Sequence, residues 1–198
     1  MPDGGVVRCW PATDPLYIAY HDDEWGRPVR DDAKLLERLC LEGFQSGLSW
    51  LTILRKRPRF REVFRGFEPE AVAGFDERDV ARLLGDAGII RHRGKIEATI
   101  ANARAALALR ESGESLTELL WSFAPAVPAP VPGALGEMPA QTAESKALAR
   151  ELKARGFRFV GPTTMYALMQ ATGIVNDHIA GCVVRDAVEA ERAAAVRD

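Results

Sequence analysis

Four residues with metal-binding side chains form two pairs near opposite ends of the chain. Cys9 and His21 lie near the N-terminus, and His178 and Cys182 lie near the C-terminus. On a helix, the spacing of the second pair places both side chains on one face. Two thiolates and two imidazoles form a closed tetrahedral set, which is typical of structural zinc and leaves no position for a catalytic water. Since the pairs are distant in sequence, the alternative is four unrelated residues; Cys40, in an apolar helical pattern, is interpreted as core.

A glycine-bearing turn joins two predicted helices near residue 160. Gly156 fits the left-handed position that ends a helix, and Gly161 with Pro162 fits the start of the next one. Backbone N–H groups of such a turn bind anions, here a nucleic-acid phosphate. The predicted contacts are Gly156, Val160, Gly161 and Thr163, flanked by the cations Lys153, Arg155 and Arg158. An ordinary joint between two helices is the alternative.

The N-terminal segment is rich in large rings, and a helix with an acidic residue follows it. The rings are Trp10, Tyr17, Tyr20 and Trp25. Glu42 follows Leu35 and Leu39 at helical spacing, which predicts that it lies near the buried face. A buried carboxylate must find partners or shift its pKa. The pattern fits either a functional carboxyl group or a local hydrogen bond, for example to Ser46.

The elements that would position these residues are helical. Apolar residues recur at helical spacing in nine segments, whereas the first 30 residues show little periodicity. The segments are a helix capped by Asp31 or Asp32, Leu48 to Pro58, Pro69 to Phe75, Glu77 to Leu84, Lys95 to Arg110, a segment capped by Ser115 that reaches Phe123, Ala143 to Ala154, Thr163 to Ala171, and Asp177 to Arg197. Residues 124–140 are rich in proline and predict a crossing loop. No strand-like alternation stands out, so we predict an all-α fold.

The composition fits an ordinary globular protein. The chain has 198 residues, three cysteines and a net charge of −2, so we expect one unit with reduced thiols in the cytoplasm. Mild acidity counts against nucleic-acid binding unless a local basic patch exists. Candidate patches are residues 91–95 and 153–158, whereas Arg55-Lys56-Arg57 fits the solvated end of a helix equally well.

Several longer runs resemble one known family closely. They are residues 14–26, 41–43, 47–50, 86–96, 156–161 and 175–178. Together they resemble the bacterial 3-methyladenine DNA glycosylase I family, which belongs to the helix-hairpin-helix glycosylase superfamily. The likeness runs in collinear order from Cys9 to Cys182 and does not cover the tail from Val183 to Asp198.

This resemblance implies a two-lobed fold within a single unit of residues 1–198, with double-stranded DNA bound across the cleft. It implies one structural zinc on Cys9, His21, His178 and Cys182. It also implies that Glu42 reads an extruded base that the rings of Trp10, Tyr20, Trp25 and Trp50 enclose. The hairpin at about residues 144–172 would grip backbone phosphates.

One position departs from the wider superfamily. Many of its members carry a catalytic aspartate two residues before the histidine of a Val-Asp-Thr-His run, where this chain has Asn176, and Asp177 is offset by one. Methylation at N3 gives adenine a positive charge and weakens its glycosidic bond. Extrusion and orientation can then supply much of the rate, and aromatic faces favour the cation.

The resemblance therefore implies a monofunctional enzyme that hydrolytically excises N3-methylated adenine from alkylated DNA and leaves an abasic site. We expect a monomer with no obligate protein partner and no membrane association. We hypothesise that Glu42, or N7 of the base, is protonated as the bond breaks. The alternatives are a non-catalytic helix-hairpin-helix module with a structural zinc, and a zinc hydrolase of another class.

Overall fold

Helices account for all regular secondary structure in the computed structural model, which describes residues 5–195. Within that range two short 3-10 segments occur, at Arg65–Phe67 and Leu135–Glu137. The α-helices are α1 Pro15–Asp23, α2 Asp32–Gln45, α3 Trp50–Val63, α4 Pro69–Ala73, α5 Glu77–Gly85, α6 Arg93–Glu111, α7 Leu116–Trp121, α8 Ala143–Ala154, α9 Pro162–Ala171 and α10 Arg185–Ala195. The all-α prediction is confirmed for the described part of the chain, where no helix is long and apolar enough to cross a membrane.

The central helix α2 packs against α3, α6, α7 and α9. Of the two residues expected to cap it, Asp31 does so, because its side chain accepts from Lys34 N at 2.9 Å. Asp32 instead accepts from Thr117 N at 2.9 Å and so holds the start of α7. The buried side chains of α2 include Leu35, Leu36, Leu39, Cys40, Leu41 and Phe44. The interpretation of Cys40 as core is confirmed.

Helix α1 lies in a segment whose apolar pattern predicts no helix. Asp14 caps it by accepting from Leu16 N at 2.9 Å, and Pro15 fills the first helical position. This Asp–Pro pair is the signal in the sequence that marks the start of α1. Tyr20 and His21 are the buried residues of the helix, which explains why the periodicity is weak.

Helix α3 corrects the prediction that Pro58 ends a helix beginning near Leu48. Leu48 lies in the preceding turn, and the helix runs through the proline to Val63. A proline inside a helix costs about 3 kcal/mol. Burial of Phe60 and Arg57 on the helix face that continues past the proline offsets that cost.

Helix α10 begins at Arg185, later than the predicted start at Asp177. The residues between them form turns, and the predicted end at Arg197 lies outside the described residues. His178 and Cys182 therefore do not share a helical face, which corrects the prediction made from their spacing. Gly181 has a φ of 75°, a conformation that interrupts a right-handed helix.

The other predicted helices are confirmed, with small shifts at their ends. Helix α8 has the predicted bounds, and Ser115 caps α7, which ends at Trp121 rather than Phe123. The proline-rich stretch crosses the surface as a loop that Ala180 N ties down by donating to Pro132 O at 2.8 Å.

Candidate functional site

The four predicted metal ligands meet in one buried cluster. The ligand atoms of Cys9, His21, His178 and Cys182 all lie within 4.8 Å of one another. The Nδ1 atom of His178 is 3.2 Å from the Sγ of Cys9 and 3.3 Å from that of Cys182. Both imidazole side chains are fully buried. The alternative of four unrelated residues is therefore wrong, since the fold brings two distant pairs to one point.

An acceptor holds the outer ring nitrogen of each histidine. Asp22 Oδ1 is 2.7 Å from His21 Nδ1, and the backbone oxygen of Trp25 is 3.0 Å from His178 Nε2. Each acceptor favours an N–H on that side, so the opposite nitrogen keeps a lone pair, as a ligand of zinc requires. His178 Nδ1 faces both thiols, whereas His21 Nε2 accepts from Cys9 N at 3.1 Å. Arg8 holds Asp22 in turn through an ion pair of 2.8 Å.

Burial favours the uncharged forms of His178 and Cys9. Burial lowers the pKa of His178 to about 4, so its imidazole is neutral at physiological pH. Burial, and to a smaller degree the nearby thiol of Cys182, raises the pKa of Cys9 to about 12. A divalent cation among these atoms would favour the thiolates. The donor set is that of a closed tetrahedral zinc site.

A pocket of about 190 Å³ opens beside this cluster. Its walls are aromatic, with one carboxyl group and two carboxamides among the lining residues, which are Trp10, Tyr17, Tyr20, Trp25, Glu42, Gln45, Trp50, Ala167 and Gln170. The ring centres of Trp10 and Tyr17 are 5.2 Å apart, and those of Tyr20 and Trp50 are 5.4 Å apart. All five residues predicted to hold the base thus lie around one space.

Two tryptophans connect the pocket to the cluster of Cys9, His21, His178 and Cys182. The ring of Trp10 contacts His21 edge-on with centres 4.7 Å apart, and Trp25 contacts His178 edge-on at 4.6 Å. The two tryptophan rings also meet edge-on at 5.0 Å. The pocket wall therefore rests directly on the residues that could hold a metal.

Glu42 is 5% exposed and has no hydrogen-bond partner among the described residues. The alternative of a local bond to Ser46 is therefore wrong. Burial raises the pKa of Glu42 to about 8, and the charge of Arg38, one helical turn earlier, opposes this only in part. A carboxyl group in this state carries its proton at neutral pH and can donate a hydrogen bond.

An ion-pair network lies next to the pocket. Arg57 donates to both carboxylate oxygens of Glu24 at 2.6 and 2.7 Å, and Arg38 donates at 2.7 Å. Burial raises the pKa of Glu24, but the hydrogen bonds and charges of its two arginines outweigh burial and lower it overall. The Arg38 guanidinium lies 5.6 Å from the ring centre of Tyr20. The network thus fixes the end of α1 to α2 and α3 and holds the Tyr20 wall.

The hairpin between α8 and α9 has the predicted turn geometry. Gly156 follows the end of α8 with a φ of 90°, and Gly161 caps α9 without a side-chain bond. Thr163 is exposed, whereas the Val160 side chain is buried in the core. These four residues lie in one turn, and Val160 could contact a ligand only through its backbone, because its side chain is buried.

Two contacts fix this hairpin to the rest of the fold. Buried Asn102 accepts from Arg158 N at 2.7 Å and donates to Arg158 O at 3.2 Å. Phe159, which has a φ of 57°, packs so closely on Gly43 that an added Cβ there would lie 3.3 Å from the Cβ of Phe159. The hairpin therefore touches α2 one residue from Glu42.

The basic clusters are largely neutralised within the fold. Arg55 pairs with Asp14, and Lys56 donates to Ala87 O at 2.7 Å. Residues 55–57 lie inside α3 and Arg57 is buried, so the interpretation of this cluster as the solvated end of a helix is wrong. Arg93 and Arg155 form ion pairs with glutamates. The exposed cations around the hairpin are Arg91, Lys153 and Arg158.

A family model described as methyladenine glycosylase matches residues 10–186. The chain belongs to this family. DNA-3-methyladenine glycosylase 1 of Escherichia coli K12 is 54% identical over 179 residues, which cover 89% of this chain and 96% of the relative. DNA-3-methyladenine glycosylase of Haemophilus influenzae Rd is 46% identical over 180 residues, which cover 89% and 97%.

Solved structures of the methyladenine glycosylase family share the fold. A crystal structure of 3-methyladenine DNA glycosylase I superposes with a TM-score of 0.86 at 54% identity and covers 89% of this chain and 98% of its own. A Staphylococcus aureus structure that describes 3-methyladenine recognition gives a TM-score of 0.84 at 34% identity, covering 88% and 93%.

Some pocket residues of this methyladenine glycosylase were not predicted from the sequence. They are Tyr17, Gln45, Ala167 and Gln170. Tyr17 belongs to the ring-rich segment, and its helical spacing from Tyr20 is the signal that could have found it. Gln170 lies on a helix far along the chain, and no motif in the sequence marks it.

The residues at the position of the missing aspartate have structural partners. Asn176 accepts from His178 N at 3.2 Å and donates to Glu189 at 2.8 Å. Asp177 accepts from Tyr166 and Gln170. Both residues line a different cavity, beneath the proline-rich loop, and neither lines the aromatic pocket.

Proposed function

We propose that this protein is a DNA-3-methyladenine glycosylase that releases N3-methylated adenine from alkylated DNA. The observation that carries this proposal is a buried, partnerless carboxyl group, Glu42, in a pocket of five aromatic rings. Membership in the methyladenine glycosylase family supports it. The names of the relatives, at 54% and 46% identity, support the same substrate.

The reaction is hydrolysis of the bond between C1′ of the sugar and N9 of the base. The bonding electrons pass to the cationic base, which leaves neutral, and water adds to C1′ and releases a proton. Because the leaving group is already activated, the reaction needs little help from a carboxylate at the sugar. The structural partners of Asn176 and Asp177 agree with a mechanism that uses neither as a base.

Glu42 reads the base in this proposal. One oxygen accepts from the 6-amino group of adenine, and the protonated oxygen donates to N7. Donation to N7 strengthens as electrons reach the ring, so it assists departure. The raised pKa of Glu42 supports this protonation state. The aromatic walls add a preference for the positively charged base over a neutral one.

Zinc is structural in this proposal. Cys9, His21, His178 and Cys182 would fill a tetrahedral shell, so the ion would stabilise the fold and take no part in the chemistry. It would tie the N-terminal segment to the turn before α10. That segment supplies Trp10 and Trp25, whose rings lie against the two histidines.

The α8–α9 hairpin would bind DNA phosphate through the backbone N–H groups of Val160 and Gly161 and the side chain of Thr163. The N–H of Gly156 already donates to Lys153 O at 3.1 Å, so Gly156 would shape the turn rather than donate to the phosphate. A turn at a helix N-terminus favours an anion. The contact between Phe159 and Gly43 connects the phosphate-binding hairpin to α2. A phosphate held by the hairpin would therefore fix the register of the base at Glu42.

Base release from methylated duplex DNA tests the proposal. We expect free 3-methyladenine in the soluble fraction and an equal number of abasic sites in the DNA. The competing hypothesis, a non-catalytic helix-hairpin-helix module, requires retention of DNA without release. DNA binding without base release by protein that contains its full zinc complement would overturn the proposed function in favour of that module.

A further inference from the structure

A buried polar network ends at the wall of the aromatic pocket. Asp177 is 6% exposed, and its Oδ2 accepts from Gln170 Nε2 at 2.8 Å and from the Tyr166 hydroxyl at 2.5 Å. The Sδ of Met138 lies 3.8 Å from the same Nε2. Both N–H bonds of the Gln170 carboxamide thus have acceptors that do not line the pocket.

This network determines which end of the Gln170 carboxamide a ligand meets. A carboxylate only accepts hydrogen bonds, so Asp177 requires the NH₂ end of Gln170 and excludes the flipped amide. The Tyr166 hydroxyl donates to the same oxygen and holds Asp177 in place. Oε1 of Gln170 has no partner among the described residues, and Gln170 lines the pocket.

We propose that Gln170 is a specificity-determining residue, whose Oε1 accepts a hydrogen bond from the exocyclic amino group of the extruded adenine, and that Asp177 positions it. The inference rests on the proposed function and adds a second polar contact with the base to the one that Glu42 makes. The 6-amino group has two hydrogens, so Glu42 and Gln170 can each accept one.

The chemical consequence is discrimination at position 6 of the purine. Adenine presents an amino group there, whereas guanine presents a carbonyl oxygen. An acceptor that cannot turn around faces that carbonyl with like partial charge and leaves both groups unpaired. A site that is built for one hydrogen-bond pattern rejects a ligand with the opposite pattern, because buried polar groups that lose their hydrogen bonds cost free energy. Gln170 cannot adapt as a freely rotating amide would.

Binding of free 3-methyladenine and 3-methylguanine by calorimetry tests the proposal. Gln170→Leu keeps the approximate volume and removes the amide, and Gln141→Leu changes an exposed glutamine as a matched control. We expect Gln170→Leu to bind 3-methyladenine about 3- to 10-fold more weakly. Its preference for 3-methyladenine over 3-methylguanine should fall as well, while Gln141→Leu matches the wild type.

The positioning role of Asp177 is tested by a double-mutant cycle. Asp177→Ala frees the Gln170 amide to flip, so it should lose much of the same preference. The double variant should lose little more than Gln170→Leu alone, because both changes remove one interaction. Thermal melting and zinc content identify any variant that has lost its fold. If Asp177→Ala does not fold, Tyr166→Phe takes its place in the cycle. We expect Tyr166→Phe to lose less of the preference for 3-methyladenine over 3-methylguanine.

The outcomes separate this inference from the proposed function. If Gln170→Leu binds both bases as the wild type does, the role of Gln170 is wrong. If Gln170→Leu lowers the affinity for both bases equally, the specificity role of Gln170 is wrong. If the losses in the double variant add, the positioning role of Asp177 is wrong. A wild-type protein that neither binds 3-methyladenine nor releases it from DNA would contradict the proposed function itself.

Discussion

Glu42 carries its proton into the neutral range because burial disfavours its charged form and the charge of Arg38 compensates for this only in part. If donation from this carboxyl group to N7 assists base release, the excision rate should fall as pH rises through about 8. Glu42→Gln keeps a hydrogen-bond donor but has no acidic proton to share with N7, so it should lower the rate about 100-fold, the low end of what a general acid contributes, and abolish the pH dependence. Single-turnover rates across this range measure both effects.

A flat rate profile from about pH 5 to about pH 9, together with full activity of Glu42→Gln, would contradict this role. The free protein must fold equally well at each pH for the comparison, which circular dichroism can check.

The raised pKa of Glu42 also predicts how the stability of the folded protein depends on pH. Unfolded Glu42 ionises near 4.5 and folded Glu42 near 8, so the folded state binds more protons between these values. The stability that Glu42 contributes is fully present below the lower pKa and is lost as pH rises toward the upper one. Urea unfolding should therefore show that Glu42→Gln gains stability relative to wild type more at pH near 8 than at pH near 5.

Glu111→Gln, an exposed glutamate on α6, is the control and should show no such difference. An unchanged gap between wild type and Glu42→Gln at the two pH values would contradict the buried, protonated state.

Periodicity identifies some of these residues and not others. The phase of α2 predicts that Glu42 is buried, because Leu35 and Leu39 lie on the same face. Gln170 and Asp177 gain their meaning only from each other, through a contact of 2.8 Å that no local pattern encodes. Tyr17 belongs to the ring-rich N-terminal segment. Its place on the pocket wall depends on helix α1, which the weak apolar periodicity does not predict.

At the scale of elements, Asn102 fixes the hairpin by two hydrogen bonds to the backbone of Arg158. Asn102→Ala should lower the affinity for DNA several-fold, because the turn would lose its fixed geometry, and lower stability by about 1–3 kcal/mol. Affinity for free 3-methyladenine should stay unchanged, since the pocket lies elsewhere. Fluorescence anisotropy with methylated duplex DNA and calorimetry with the base measure the two affinities.

An equal loss of both affinities would show that Asn102 supports the pocket rather than the hairpin. Unchanged affinity for DNA would contradict the proposed phosphate grip.

The errors in the helix predictions have physical reasons that lie beyond local sequence. Pro58 ends a helix on propensity alone, yet burial of Phe60 beyond it outweighs the lost hydrogen bond. The spacing of His178 and Cys182 suggests a helix, yet the ligands meet across a turn in which Gly181 adopts a positive φ. Tertiary packing decides both cases, and a periodic pattern contains no information about it.

At the scale of the whole molecule, the cluster of Cys9, His21, His178 and Cys182 brings together two segments that are far apart in the chain. We expect one zinc per protein molecule by elemental analysis. Cys182→Ser should lose the ion and lower the melting temperature by on the order of 10 °C, because binding of a structural zinc contributes to folding. Affinity for 3-methyladenine should fall too, since Trp10 and Trp25 rest on the cluster.

Cys40→Ala removes a buried thiol outside the cluster and should keep the zinc. Full zinc content in Cys182→Ser would contradict the ligand assignment. Zinc-free protein that stays folded and fully active would agree with a non-catalytic ion but contradict its support of the pocket. The monomeric state, the cytoplasmic location and the two-lobed division stay predictions from the sequence.

Chromatography of the bases released from methylated duplex DNA tests the central claim most directly. The account predicts that the wild-type protein releases 3-methyladenine and that Glu42→Gln with full zinc content releases it much more slowly. It also predicts that 7-methylguanine stays in the DNA, because its methylated N7 cannot accept from Glu42 and its position 6 carries a carbonyl oxygen. Release of both bases at similar rates, or no release by folded wild-type protein that contains zinc, would contradict it.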